Sequence, residues 1–140
     1  MRELSPWAIR SGRRDAWRAF YASYITSPKW FHRREAWARE EAAQRGSDVI
    51  VCAGGCGAEW TVRRGDLHHR SYDRLGEEAH EDLWPMCRPC HTRLHDIIDS
   101  TRSWRRLPRE LANDRALAVV HAEHTGASAE TGARSLRDYL

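Results

Sequence analysis

Apolar positions follow a helical period at both ends of this chain and fall in short β-type runs in the middle. Trp17, Phe20, Tyr21 and Tyr24 stand at i, i+3, i+4 and i+7, which predicts an amphipathic helix over 15–25. Thr26-Ser27-Pro28 stops it, with Ser27 suited to cap a second helix and Pro28 to its first turn. That helix should run to about residue 44 and end near Gly46, where glycine admits left-handed backbone. Residues 48–52 are short and β-branched, 53–57 form a glycine-rich turn, and 59–63 and 66–69 read as further strands. Segment 72–82 is polar and irregular. Leu94, Ile97, Ile98, Thr101 and Trp104 restore the helical period, so one helix over 88–104 is the economical expectation. Pro108 breaks it, and a last helix covers 109–124. Residues 126–132 are small and polar, a flexible lead into the C-terminus. The expected class is α+β: a basic helical region over 1–47, a core over 48–106, and a C-terminal helix and tail over 107–140.

A length of 140 residues suits one small core with appendages, and seven tryptophans let few apolar positions bury much area. No apolar run approaches bilayer-spanning length, and MRELSPWAIR lacks the apolar middle of a secretory signal. The expected location is therefore cytoplasmic, with no membrane partner. In that compartment four cysteines are zinc ligands rather than two disulfides. Charge is uneven: 1–47 carries ten Lys/Arg against five Asp/Glu, and 48–96 carries six against nine. The middle is thus acidic and its flank basic, and bound divalent ions would reverse the field of the middle.

The candidate chemistry lies in that acidic middle. Cys52 and Cys56 are separated by three residues, Cys87 and Cys90 by two. Either spacing lets one knuckle offer two sulfurs to a tetrahedral ion, so a structural Zn2+ on all four is expected. His91 and His95 stand at i and i+4 and share one helix face. A third imidazole must come from elsewhere. His68 and His69 are adjacent on a presumed strand and face opposite sides of it, so one can ligate a metal while the other reaches a water beside a substrate.

The run LHHRSYDRLGEEAHEDLWPMCRPCHTRLH resembles the HNH endonucleases, and YASYITSPKWFHRREAWARE upstream looks like the helical segment before their first cysteine pair; together the likeness covers about 20–96. The resemblance implies a small ββα-metal core with a four-cysteine zinc site. It implies His68, His91 and His95 as ligands of one catalytic divalent ion (Mg2+, Mn2+, Ni2+ or Zn2+) and His69 as general base. Asp82 stands where the family usually has Asn, able to pin the loop but not to donate an amide hydrogen. The implied activity is hydrolysis of double-stranded DNA to 5′-phosphate and 3′-hydroxyl ends. The competing reading is a zinc-stabilised DNA-binding module without catalysis, which has no use for four clustered imidazoles.

Candidate phosphate contacts are Arg88 and Arg102, on or near the His91/His95 face of a continuous helix, with Lys29, Arg33 and Arg34 upstream. His32, His121 and His124 read as exposed helix positions, His80 as a loop residue, and Trp60 and Trp84 as core.

Overall fold

The computed structural model describes residues 6–126. In chain order these form α1 (Pro6–Ile25), α2 (Pro28–Arg45), β1 (Ile50–Val51), β2 (Glu59–Trp60), β3 (Asp66–His69), β4 (Leu83–Met86), α3 (Arg88–Asp99), α4 (Arg102–Arg106) and α5 (Arg109–Thr125). The class is α+β, with two separate two-stranded antiparallel sheets, β1–β2 and β3–β4. α1 starts nine residues before the expected 15, because proline is tolerated in a first helical turn; of its aromatic stripe only Tyr24 is buried, Tyr21 is half-buried, and Trp17 and Phe20 are exposed. α2 begins and ends as its punctuation predicts. The Ser27 hydroxyl accepts the Trp30 N–H at 3.2 Å, and Gly46 closes the helix at φ 68°.

The β3–β4 pair positions everything else. Asp66 lies opposite Met86, Leu67 opposite Pro85, His68 opposite Trp84 and His69 opposite Leu83. Alternation then sorts the side chains. Leu67 and Leu83 join Tyr24, Trp30, Trp37, Ile50 and Trp60 in one buried cluster, while Met86 joins Leu94, Ile97, Trp104, Val119 and Val120 in another. The hairpin therefore separates two cores, and the adjacent His68 and His69 face different ones. Trp37 and Trp104 are almost wholly buried. Each represents about 5 kcal/mol of gross apolar burial before ordering entropy. Trp60 is core as expected; Trp84 is half-buried and packs against the His68 ring. Pro85 has no N–H to give, but its carbonyl accepts the Ala53 N–H at 2.7 Å and ties the cysteine turn to the hairpin.

The expected single helix over 88–104 is two helices. The Ser100 hydroxyl bonds back to the Ile97 carbonyl at 2.6 Å, and Thr101 turns extended and caps α4 through Trp104 N–H at 3.2 Å. Short hydroxyl side chains compete here with helical bonding. Arg102 opens α4 and so loses the helical register with His91 and His95 that continuity would have given it. Of the expected flexible lead over 126–132, only Gly126, the αL cap of α5, lies within the described residues.

No described helix is long and apolar enough to cross a membrane.

Candidate metal centres and their surroundings

The sulfurs of Cys52, Cys56, Cys87 and Cys90 all lie within 4.8 Å of one another. Cys56 and Cys87 sulfurs are 3.7 Å apart, and two thiolates on one tetrahedral zinc, each ~2.3 Å from it, would stand ~3.8 Å apart. The donor set fits that metal. Backbone amides support it: Gly54 and Cys87 N–H groups each reach Cys52 Sγ at 3.3 Å, and Ala58 N–H reaches Cys56 Sγ at 3.4 Å. A Cβ on Gly54 would stand 2.8 Å from Cys90 Sγ, so the knuckle requires glycine there. Burial pushes the Cys52 and Cys90 thiols up. At Cys56 burial acts the same way, but the Ala58 amide and hydrogen bonds from the other thiols outweigh it and draw that thiol down. A bound cation would relieve the cost of ionising the buried pair. His124 Nε2 comes within 3.4 Å of Cys90 Sγ, so that exposed residue edges the thiolate centre.

The ring nitrogens of His68, His91 and His95 also gather within 4.8 Å of one another. His91 Nε2 is 3.1 Å from His68 Nδ1 and 3.0 Å from His95 Nε2. The tautomers follow from the outer partners. Asn113 donates through Nδ2 to the Arg70 carbonyl at 3.0 Å, so its Oδ1 faces His68 Nε2 at 2.6 Å and accepts a proton from it. Asp66 Oδ2 accepts from His91 Nδ1 at 3.0 Å. His68 Nδ1 and His91 Nε2 therefore present lone pairs to one another. A nitrogen with one lone pair and two nitrogen neighbours is satisfied by a shared cation, and outer partners of this kind orient metal-binding imidazoles. These three residues fit a divalent ion.

Burial holds His68 far below the usual imidazole range, at about 2, and the neighbouring His91, His95 and Arg109 add to the effect. His95 is lowered first by burial, then by His91 and Arg109. The sign is set by the unfolded chain. Below the ordinary value of 6.5 an unfolded His68 takes up a proton that the folded one refuses until about pH 2. Stability must fall as pH drops below about 6.5, with a slope of up to ~1.4 kcal/mol per pH unit for that group. Glu40, Glu41, Glu78 and Asp82 are held low and add their loss only when pH falls through the carboxylate range. Denaturant titrations with the imidazole site stripped by mild chelator should show declining stability already between pH 6.5 and 5. A flat profile there would contradict a buried neutral His68.

His69, on the opposite face of β3, is set in a different cage. Its ring stacks on Trp30 at 4.8 Å, and Nε2 meets Glu78 Oε2 at 2.8 Å. Glu78 is itself buried and takes bonds from Tyr24 Oη at 2.6 and 3.0 Å and from Gly76 N–H at 3.1 Å. Burial alone would raise the Glu78 carboxyl, but His69 and Tyr24 outweigh it and hold it low, hence ionised. An ionised carboxylate can only accept, so His69 Nε2 carries a proton, and in the neutral ring the lone pair is on Nδ1. Arg109 lies over the Tyr72 ring at 3.6 Å and donates to the His69 carbonyl at 2.8 Å. His69 and His91 line one cleft of about 340 Å3, with Tyr21, Ile25, Arg34, Asp66 and Arg88 along its walls.

Asp82 stands outside the His68, His91 and His95 group and makes no hydrogen bond to an imidazole among the described residues. Its oxygens are occupied by Arg74 at 2.7 and 2.8 Å and by the Ala79 N–H at 2.9 Å, while its carbonyl accepts the Arg70 N–H at 2.8 Å. It pins the loop into β4. The upstream cations are also engaged. Lys29 pairs with Glu77, Arg33 with Glu40 and the Glu78 carbonyl, and Arg34 with the Val62 and Gly65 carbonyls. Arg88 is 81% exposed at the cleft rim, 3.3 Å from Asp66. His80 lies in a 3-10 turn, stacked on Trp37 and bonded to Glu40 and Glu41.

Three outer partners escaped the sequence reading. Asp66 could have been found, since it lies two residues before His68 on the same strand face. Asn113 breaks the apolar face that Ala112, Ala116 and Val120 form on α5, a weaker signal. Glu78 lies in an irregular segment, and nothing in its local pattern points to His69. Compared with family models, curated proteins and solved structures, the chain finds no match in any of the three.

Proposed function

We propose that this chain is a metal-dependent endonuclease of the HNH type that hydrolyses DNA phosphodiester bonds, with β3, β4 and α3 as its ββα-metal core. The observation that carries this reading is the pairing of two imidazole arrangements on one strand. Ring nitrogens of His68, His91 and His95 gather within 4.8 Å of one another, and the next residue after His68, His69, is oriented by a buried carboxylate and lines the cleft that His91 also lines. A structural metal alone would not need the second arrangement.

His68, His91 and His95 would hold the divalent ion, whose chemistry when bound is electrostatic: polarising the scissile phosphate and stabilising charge on the leaving 3′-oxygen. His69 accepts the proton of an attacking water at Nδ1 while Glu78 keeps Nε2 protonated and the ring turned. The water oxygen bonds to phosphorus, the bond to the 3′-oxygen breaks, and that oxygen takes a proton from solvent. Trp30 stacking holds the ring plane, and Arg88 at the rim can neutralise a phosphate entering the cleft. The four thiolates, in the same reading, hold a structural zinc that fastens the cysteine turn to α3.

Supercoiled plasmid incubated with manganese, magnesium, nickel or zinc should be nicked with at least one ion and left intact in excess chelator. No cleavage with any ion would instead favour a DNA-binding module. Cleavage undiminished in chelator would remove the metal from the mechanism.

A further inference from the structure

Residues 12–20 of α1 are exposed around the whole helix. Within them lie Arg13, Arg14 and Arg18 against a single acid, Asp15, and none of the three arginines has an ion pair or hydrogen-bond partner among the described residues. That contrasts with Arg33 and Arg34 on α2, whose guanidinium groups are held internally. Arg14, Arg18, Tyr21 and Ile25 fall at i, i+4, i+7 and i+11, one narrow stripe along a helix. Tyr21 and Ile25 are cleft-lining residues. The stripe therefore starts with cations that meet no partner among the described residues and ends at the cleft that His69 and His91 line.

At 1.5 Å per residue, Arg18 and Arg14 lie about 4.5 and 10 Å beyond Tyr21 along the axis. For a duplex whose axis runs along α1, where one strand advances about 3.4 Å per phosphate, the two positions would fall about one to three nucleotides from a phosphate seated in the cleft. Neighbouring Trp17, though exposed, lies against Tyr21 and Tyr72 at 5.4 and 5.0 Å.

We propose that Arg14 and Arg18 form a phosphate track on α1 that receives one strand of duplex DNA on one side of the cut. The inference rests on the nuclease reading and adds to it a substrate requirement: duplex extending at least about three nucleotides past the scissile bond on the α1 side. Such contacts position the duplex and carry no base information.

The test is the salt dependence of duplex binding. Anisotropy of a labelled 20-base-pair duplex should show R14Q/R18Q binding about tenfold more weakly near 0.1 M salt. Each lost phosphate contact removes about 0.9 from the slope of log K against log salt, so the double variant should lose about 1.8. R14K/R18K should recover most of the slope, and R63Q/R64Q, which removes the same charge elsewhere, should retain it. An unchanged slope in R14Q/R18Q, or an equal loss in R63Q/R64Q, overturns the track. So does a wild-type dimer that becomes monomeric in R14Q/R18Q with duplex affinity unaltered, since the stripe is then a contact between copies. Hydrolysis of bis(p-nitrophenyl) phosphate by the wild-type protein with manganese, magnesium, nickel or zinc tests the underlying reading separately: failure with all four removes the nuclease, whatever the binding slopes show.

Discussion

His69→Ala should lower plasmid nicking by on the order of 10²-fold or more while manganese still binds to the His68, His91 and His95 site. The side chain is only 3% exposed and stacks on Trp30, so its removal also leaves a cavity and an uncompensated Glu78 carboxylate. Part of the loss could then be structural. Glu78→Gln separates the two. The Glu78 carboxylate accepts from His69, Tyr24 and Gly76, with every neighbour a donor. Glutamine fits nearly the same space but must turn its NH2 toward one of them. His69 is then held less firmly and its proton is no longer pinned to Nε2. The expected result is a kcat lower by about tenfold or more, with KM and metal affinity nearly unchanged. Wild-type rates in His69→Ala would remove the general base from this account. A Glu78→Gln variant with normal kcat would show that the buried pair only supports the fold.

Legibility in the sequence followed the range of the interactions. Local punctuation was sufficient for α2, because a serine cap, a following proline and a closing glycine act within a few residues of one another. Helical spacing was sufficient to put His91 and His95 on one face, and strand alternation to separate His68 from His69. Continuity of the last turns was not legible. Leu94, Ile97, Ile98, Thr101 and Trp104 keep an apolar period across Ser100 and Thr101, and only the hydroxyl groups' bonds to Ile97 and Trp104 backbone reveal the break. The outer partners depended on long-range packing. Glu78 meets Tyr24 across 54 positions and Asn113 meets His68 across 45, distances over which no periodic signal survives. Charge counts marked the N-terminal region as basic without telling free cations from engaged ones. Arg33 and Arg34 are tethered while Arg14 and Arg18 meet no partner among the described residues, a distinction that belongs to tertiary structure.

The thiolate centre carries the other large effect. Cys87→Ser should abolish cooperative folding, or leave a protein that aggregates on purification, and the bound zinc should fall from about one per chain to a small fraction. A structural zinc contributes on the order of 10 kcal/mol to a small folded unit, as much as the whole stability of an ordinary domain. The position makes the test sharp. Cys87 is the N-cap of α3, with extended backbone and no side-chain cap bond, and serine is a better cap than cysteine, worth up to about 1 kcal/mol. Were the four sulfurs merely buried thiols, this substitution would be neutral or slightly stabilising. Loss of fold would have to come from the missing thiolate. The imidazole site should behave oppositely. It offers three imidazoles, of which His91 lines the cleft, so brief mild chelation, His91→Ala or His95→Ala should each leave a folded protein without cleavage activity. A well-folded Cys87→Ser variant with an unchanged melting curve would mean that the cysteine turn holds to α3 without metal. Unfolding in both histidine variants would mean that the imidazoles, too, serve the fold, and the binding-module reading would then account for the chain better than catalysis does.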